Sequence, residues 1–488
     1  MVANWFNTKL TRIKEHPFSP YGLLAGITLL AAALRFFKLG EWSFWIDEIY
    51  TVNHALRHYG TLELILENIP PARNWVPVSV ILTAQSLNLF GVSEWSARLA
   101  SAIIGTISIP ILYFPIKKIF GNQVALIALL LLAVSPWHIF WSQNARFYAN
   151  LLLFYTLALT AFYYGAERNQ LRYFVLFFAL LYLAFSERLF AFFIVPVIAG
   201  YLIALWILKY ERPPGLNPRN ILLLGSPIIV GGLVELYTWI VKGESRFLGD
   251  FGWFFLYQNE DPLRLLISII FNVSLPIFSM ALIGGFYLLL RKNRAGLFLL
   301  LSALLPVATL VLLNPFMFTK DRYVFMTLPG WLILTAIAIK ELVAQARDTS
   351  KLLALGVLVV FLAHSAGTNL LYYHVNKGNR LDWRAAFEFV KERSQAEDVV
   401  VAWWPEFGPF YLDAEIVPWE GVQVETIIES DRRHWFVVDY ETVWGNIPLK
   451  NWLEAQGQLV EVFYLRQPED DYYLRIYLYD PVKNSIEN

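Results

Sequence analysis

The chain has 488 residues, of which 57% are hydrophobic and only 16% are charged, and its mean hydropathy is +0.48. Soluble enzymes rarely reach such values, so the composition excludes that class and indicates a polytopic membrane protein. The sequence contains no cysteine, which excludes a disulfide framework, a thiolate metal site and a cysteine nucleophile.

The zero net charge conceals two regions of opposite charge. Residues 1–371 hold 28 Lys and Arg against 18 Asp and Glu, whereas residues 372–488 hold 11 against 21. We therefore predict a basic membrane domain, 1–371, and an acidic, water-soluble domain, 372–488. No nucleic-acid partner is expected.

Apolar runs of roughly 17–25 residues, each long enough to cross a lipid bilayer, recur along the membrane domain. The first run has no small-residue cleavage site after it, so we interpret it as a retained span and not as a signal peptide. The prediction is an α-helical membrane domain with about eleven transmembrane helices. The predicted spans are 20–39, 97–117, 123–141, 148–166, 171–186, 189–208, 220–241, 264–290, 296–313, 323–341 and 352–371.

Basic residues precede the first span and fill every second turn, which by the positive-inside rule puts the N-terminus in the cytoplasm and the acidic domain outside. This scheme requires that the short segment 74–90, which contains Gln85 and Asn88, does not cross the membrane. We expect it to lie at the outer interface, among the interfacial helices of the outer loop 40–96. We expect an integral protein of the plasma membrane. The basic residues of the cytoplasmic turns are Lys117, Lys118, Arg168, Arg172, Lys209, Arg212, Arg219, Arg291, Lys292, Arg294, Lys340, Arg347 and Lys351.

Two adjacent carboxylates, Asp47 and Glu48, stand among tryptophans in "EWSFWIDEIY" on the predicted outer face. The loop around Arg146, the turn 186–188 and the loop 314–322 fall on the same face. A site built from them would lie at the lipid–water boundary. The spans hold few ionisable groups near the membrane midplane, which argues against an ion-coupled transporter.

Two outer loops each place a guanidinium beside a tyrosine: Arg146 with Tyr148, and Arg322 with Tyr323. Arginine forms bidentate, charge-assisted bonds to phosphate oxygens. Arginines that face a carboxylate suit one reaction in particular. The arginines would hold a lipid-linked phosphate, and the carboxylate would act as the base that deprotonates an acceptor hydroxyl.

Simpler interpretations remain open for each of these residues taken alone. Arginines at helix ends often extend to the headgroup region, and tryptophans there often form an interfacial belt. Glu187 and Arg188 are expected to form a local ion pair. The histidines His54, His58 and His138 lack the spacing of metal ligands and are more typical of surface groups.

The C-terminal region is predicted to be a small α/β domain. Its helix, "DWRAAFEFVKERS", begins with Asp382 as the cap, and its strands are "DVVVAWW", "HWFVVDY", "LVEVFYLR" and "YYLRIYLYD". It contains neither a Gly-rich phosphate loop nor a nucleophile elbow. It could cover the membrane site or recognise the acceptor, and Trp383 and Arg384 near its start could reach that site.

An ordered set of segments resembles the C-type glycosyltransferases. These are "RFFKLGEWSFWIDE", the pair Pro70-Pro71, "LFGVSEWSARLASAIIGTISIPILYFPIKKIFG", "SPWHIFWSQNARFYA" and "DRYVFMTLP". The resemblance covers most of residues 20–345. It is closest to the branch that contains the protein O-mannosyltransferases and the lipid A aminoarabinose transferase.

The resemblance implies a polyprenyl-phosphate-linked sugar as donor and inverting transfer to a hydroxyl acceptor on the outer face. The family's base falls on Asp47, with Glu48 next to it, and the family's two arginines fall on Arg146 and Arg322. Tyr148 and Tyr323 would join them at the donor phosphate. The runner-up is a transporter or flippase of a lipid-linked sugar.

The acceptor side of the site stays open, because the sequence departs from the family there. Ile69 stands where many relatives have His, and Gln143-Asn144 stands where many have Arg-Glu. Candidate substrate contacts are Arg73, Gln143 and Asn144. The acceptor could be a lipid, a glycan or a protein, and dependence on a divalent metal is left open.

Overall fold

The computed structural model describes residues 19–61, 63–64, 77–242, 261–344, 348–412, 414–439, 446–466 and 471–481. A large helical domain is followed by a small α/β domain, as predicted. The helices of the first domain are α1 (Pro20–Phe36), α2 (Ile46–Tyr59), α3 (Val78–Phe90), α4 (Glu94–Phe120), α5 (Asn122–Val134), α6 (Pro136–Ser142), α7 (Tyr148–Arg168), α8 (Leu171–Glu187), α9 (Ile194–Ile207), α10 (Pro218–Lys242), α11 (Pro262–Val273), α12 (Leu275–Leu290), α13 (Arg294–Leu313), α14 (Leu328–Ala344) and α15 (Asp348–His374).

Among the described residues, seven helical segments are long and apolar enough to cross a membrane, and there are nine if each of two bent helix pairs counts as one span. Two more predicted spans correspond to α1 and α8. Each has 17 residues, the lower limit for crossing a ~30 Å hydrocarbon core. The integral membrane character is confirmed, and the count of eleven stays a prediction.

The bent pairs shape the end of the bundle that carries the predicted site. Helices α5 and α6 meet at 62° at Ser135, where Pro136 begins α6 and cannot donate the hydrogen bond that would continue α5. Helices α11 and α12 meet at 90° at Ser274, which has a φ of +80°. The first bend presents Trp137 and Trp141 on a short helix beside the turn that contains Arg146.

The α/β domain contains a five-stranded mixed sheet. Its strands are β1 (Val399–Ala402), β2 (Val417–Pro418), β3 (His434–Asp439), β4 (Gln458–Arg466) and β5 (Asp471–Tyr479), in the order β2-β1-β3-β5-β4. β1 pairs in parallel with β2 and β3, whereas β5 pairs antiparallel with β3 and β4. The helices are α16 (Trp383–Arg393), α17 (Val424–Ile428) and α18 (Ile447–Gln456). The Asp382 side chain caps α16 by accepting from Ala385 N at 3.2 Å, as predicted.

The loop between α1 and α2 contacts the C-terminal part of the chain directly. The Phe44 amide donates to the Tyr411 hydroxyl at 2.7 Å, and the Ser43 hydroxyl donates to the Leu381 carbonyl at 2.8 Å. Tyr411 and Arg384 both bind the Glu94 carboxylate at the start of α4. The α/β domain is therefore packed over the loop that carries Asp47 and Glu48.

Candidate active site

Asp47 lies in the first turn of α2, where the helix dipole stabilises an acidic side chain. Its side chain is 27% exposed, and it lines a cavity of about 800 Å³. We call this space the interdomain cavity, because residues of both domains line it. Its aromatic lining includes Trp45, Trp137, Phe140 and Trp141 from the helical domain and Trp404 and Tyr472 from the α/β domain.

Glu48, one residue further on, is completely buried and does not line that cavity. Arg98 binds both of its oxygens, with Nε at 2.8 Å and Nη2 at 2.7 Å, and Ala145 N donates at 2.9 Å. Arg380 Nε adds a weaker ion pair at 3.6 Å. Burial alone would raise the pKa of Glu48, but Arg380 and Arg98 lower it to about 2. Glu48 is thus ionised and saturated with donors.

Arg98 uses its remaining donors to fix the loop before Asp47. Its guanidinium donates to the carbonyls of Leu39, Trp42 and Ser43 at 2.9–3.1 Å. Carbonyls in a loop have no ladder partners, and an unpaired buried carbonyl is costly. The Glu48–Arg98 pair therefore holds the backbone that positions Asp47.

Arg146 is the first cation beside Asp47. Its Nη1 donates to the Asp47 carbonyl at 2.9 Å and to the Thr51 hydroxyl at 3.0 Å, and its Nη2 lies 3.5 Å from Asp47 Oδ2. The last distance exceeds that of a normal charge-assisted hydrogen bond. Arg146 therefore orients the Asp47 carboxylate, whose oxygens can still accept a hydrogen bond from another donor.

Two further arginines face the same carboxylate. Arg322 and Arg188 both interact electrostatically with Asp47 and with the tyrosines Tyr148 and Tyr323. The Arg322 guanidinium lies over the Trp45 ring at 5.8 Å, and that of Arg188 lies over Phe147 at 5.5 Å. The two tyrosines are held by aromatic contacts, Tyr148 against Trp141 at 3.9 Å and Tyr323 on Phe190 at 4.0 Å.

The cluster around Asp47 carries an excess of positive charge. Asp321, a second carboxylate near Arg322, already accepts from Ser268 at 2.7 Å and from Asn272 at 2.6 Å. The Nε atoms of Arg146 and Arg322 are buried and have no hydrogen-bond partner among the described residues. Three guanidinium groups, two of them with a spare donor, form a site for an oxyanion.

The structure uses the predicted contacts Gln143 and Asn144 in another way. Both side chains are fully buried and do not line the interdomain cavity. The Gln143 amide donates to the Arg35 and Phe37 carbonyls, and the Asn144 amide accepts from Trp45 Nε1 at 2.9 Å. These amides hold the end of α1 and the Trp45 ring, so we give them no substrate contact in the proposal. Arg73 lies outside the described residues.

The expected ion pair between Glu187 and Arg188 is not formed. Glu187 accepts hydrogen bonds from the Ser79 amide and hydroxyl and from the Asn150 amide, while Arg188 turns toward Phe147. The neutral donors are within reach because α3 and α7 pack beside the end of α8. Sequence adjacency gave the wrong partner for both residues.

Three arginines that belong to these networks were missed by sequence reasoning. Arg188 was assigned to the ion pair, and neither Arg98 nor Arg380 was considered. Arg98 could have been found, because an arginine at the end of an apolar span requires a partner. Arg380 gives no such signal in "NKGNRLDW", which reads as an ordinary polar connection.

The histidines His54, His58 and His138 are not grouped together in the structure. His138 is buried and its Nδ1 lies 2.7 Å from Arg35 Nη2, while His54 and His58 contact each other on α2. Within the described ranges, no three side chains of His, Asp or Glu are grouped so that they could hold a metal ion. We therefore assign no step to a metal.

The fold matches solved glycosyltransferase structures over almost its whole length. ArnT from Cupriavidus metallidurans aligns over 95% of this chain and 98% of its own, with a TM-score of 0.59 and 15% identity. A second structure of that protein, bound to undecaprenyl phosphate, aligns equally well. The oligosaccharyltransferase of Archaeoglobus fulgidus aligns over 95% of this chain and 77% of its own, with a TM-score of 0.53 and 15% identity.

Sequence comparisons point in the same direction. Residues 71–213 match the family described as dolichyl-phosphate-mannose-protein mannosyltransferase. The dolichyl-phosphooligosaccharide-protein glycotransferase 2 of Pyrococcus furiosus is 22% identical over 412 residues, which cover 66% of this chain. The chain spans only 54% of the length of that relative.

The chain therefore has the fold of the C-type glycosyltransferases, and the resemblance seen in the sequence is confirmed. Within that class, the matches to the mannosyltransferase family and to ArnT agree with the branch that the sequence motifs indicated.

Proposed function

We propose that the protein transfers a sugar from a polyprenyl-phosphate donor to a hydroxyl acceptor, with inversion at the anomeric carbon. One observation carries this proposal. Asp47 is a partly exposed carboxylate on an aromatic-lined cavity and faces three arginines, whereas its neighbour Glu48 has no free capacity. A proton acceptor beside an oxyanion site is what this reaction requires.

In the proposed reaction, Asp47 takes the proton from the acceptor hydroxyl as its oxygen attacks the anomeric carbon. The bond from that carbon to the phosphate oxygen breaks, and its electron pair leaves with the polyprenyl phosphate. Asp47 needs to be within hydrogen-bond reach of the acceptor oxygen, and one base suffices for a single displacement.

Arg146, Arg188 and Arg322 would bind the donor phosphate and stabilise the charge that it gains on leaving. Tyr148 and Tyr323 would donate hydrogen bonds to the same oxygens. ArnT, which shares this fold, has been solved with undecaprenyl phosphate bound, and this supports a polyprenyl-phosphate lipid as the carrier. Glu48 would act as a positioning residue through Arg98 and the loop 39–45.

The reaction is proposed to occur on the outer face of the plasma membrane, beneath an extracytoplasmic domain formed by residues 372–488. The positive-inside pattern supports this orientation. The acceptor is a lipid, a glycan or a protein. The matched family and the archaeal relative are transferases by name, and no observation on the described residues favours the transporter alternative.

The test is single-turnover sugar transfer by the purified protein from a polyprenyl-phosphate donor, with donor affinity measured in parallel. Asp47→Asn should lower the rate by about 10²–10⁴-fold, because a positioned base is lost. Donor affinity should stay near the wild-type value. The matched control is Glu41→Gln, an isosteric change on the same loop at an exposed residue that pairs with Lys38. Wild-type transfer by Asp47→Asn would place the base elsewhere.

A further inference from the structure

A second large cleft lies at the opposite end of the helical domain. Helix α7 has 21 residues, from Tyr148 at the candidate active site to Arg168, about 30 Å away. The cleft has a volume of about 820 Å³. We call it the basic cleft. Its cationic lining comprises Lys118, Arg168, Lys209, Arg291, Lys292 and Arg294.

The charges of the basic cleft are not balanced within the protein. Two carboxylates, Glu167 and Glu211, line it. Arg294 forms a bidentate salt bridge with Glu167, with hydrogen bonds of 2.9 and 2.7 Å. The Glu211 side chain is 98% exposed, and its carboxylate lies 3.9 Å from the same arginine. No described carboxylate lies within ion-pair distance of the other five cations. The lining therefore carries an excess of four positive charges.

Aromatic contacts and backbone geometry hold several of these cations at the cleft. Lys118 and Arg168 both lie over the Tyr164 ring, at 4.8 and 5.4 Å. Lys209 and Lys292 end their helices with φ values of +52° and +48°, in the left-handed region that glycine or asparagine adopts at lower cost.

A narrow apolar crevice adjoins the basic cleft. The two spaces share the lining residues Ile119, Tyr163 and Ala295. The crevice lies among α4, α7, α13 and α14, reaches Thr327 and Gly330, and has a volume of about 50 Å³. An apolar space of this kind would not bind a free anion, because it offers too few polar partners. The first methylenes of a hydrocarbon chain would fit it.

We propose that the basic cleft binds the phosphate headgroup of an anionic phospholipid, with the start of one acyl chain in the crevice. The positive-inside rule requires basic residues near this end of the bundle, but it does not require them to line a concave site beside an apolar crevice. Basic pockets between transmembrane helices are a known form of anionic headgroup site. This inference does not rest on the proposed transferase reaction.

The experiment measures lipid binding to the purified full-length protein by native mass spectrometry. The probe is dihexanoyl phosphatidylglycerol, and dihexanoyl phosphatidylcholine tests the need for negative charge. Replacing Lys118, Lys209 and Lys292 together with Gln should weaken phosphatidylglycerol binding by about a hundredfold, since each cation near the surface contributes about fivefold. The zwitterionic lipid should bind weakly to both proteins.

The matched control replaces three basic residues near the same end of the bundle that do not line the cleft, Lys117, Arg212 and Arg219, with Gln. It should bind phosphatidylglycerol as the wild type does. If the triple cleft variant does not fold, the single pair Lys118→Gln and Lys117→Gln makes the same comparison between adjacent residues, both of which contact tyrosine rings.

Two further arms separate a lipid from a free anion. Inorganic phosphate and glycerophosphoglycerol carry the negative charge without the acyl chains, and both should bind more weakly than the lipid. Binding of either as tightly as the lipid would make this a free-anion site and overturn the proposal. Equal losses in the cleft and control variants, or no loss in the cleft variant, would overturn it too.

Discussion

Asp47 and Glu48 are neighbours in sequence and occupy opposite environments. The Glu48 region is closed, because a buried carboxylate is matched by Arg98, by Ala145 N and by Arg380. The Asp47 region is open, because a partly exposed carboxylate lies on a cavity beside guanidinium groups that retain unpaired donors. The polar groups around Glu48 are paired with one another, whereas Arg146 and Arg322 beside Asp47 each keep an Nε atom without a hydrogen-bond partner among the described residues.

The comparison separates two uses of the same chemical group. A carboxylate whose acceptor sites are all filled can fix a backbone, but it cannot accept a proton from a substrate. Function and stability should therefore respond to different members of the pair.

The largest expected effect is on stability, from breaking the closed region. Arg98→Met removes the main partner of Glu48 and leaves a buried charge, which should lower the free energy of unfolding by about 3–5 kcal/mol. Asp47→Asn, at a partly exposed position, should change it by about 0.5 kcal/mol or less. Thermal unfolding in a fixed detergent compares the two. Equal losses would show that the regions are not distinct.

The next effect is on donor affinity in the open region. Arg322→Ala removes a cation with a buried, unpaired Nε atom and should weaken polyprenyl-phosphate binding by about 1.5–3 kcal/mol, the range for hydrogen bonds to charged groups. Binding is measured by titration of the purified protein. Arg384→Ala, which removes an arginine that pairs with Glu94 outside the interdomain cavity, is the control. Equal affinities for all three proteins would contradict the assignment.

A smaller effect is expected when the charge is kept and the shape is changed. Arg322→Lys retains a point charge but loses the planar fork that binds two phosphate oxygens. Its donor affinity should fall between those of the wild type and Arg322→Ala. Affinity as low as that of the alanine variant would mean that charge contributes little to phosphate binding at this position.

The smallest effect is a dependence of stability on pH. The pKa of Glu48 is lowered from an ordinary value of about 4.5 to about 2 in the folded protein, against the opposing effect of burial, by Arg380 and Arg98. Its contribution to stability is therefore complete above about pH 4.5 and is lost as the pH falls toward 2. Melting temperatures between pH 7 and 3.5 should begin to drop below pH 4.5, and the drop should be smaller in Arg98→Met, because one cause of the lowered pKa of Glu48 is then missing.

The sequence predicted the helical membrane domain and the small C-terminal α/β domain, because hydrophobic runs and strand patterns are contiguous. It did not predict that Glu48 would be saturated. Its partners are Arg98, which lies 50 residues further along the chain, and Arg380, which lies in the connection just before α16. The structural roles of Gln143 and Asn144 could not be predicted either. Their hydrogen-bond partners, backbone carbonyls and the Trp45 indole, are distant in sequence and come together only on folding.

The hydrogen bond from Phe44 to Tyr411 also sets an order of events during synthesis. Its two partners are 367 residues apart, so the loop that carries Asp47 is made early and gains this contact only when the α/β domain has been made and folded. Until then the interdomain cavity lacks one wall. A newly made chain inserted in the membrane would thus complete the interdomain cavity last, after its N-terminal helices have been made.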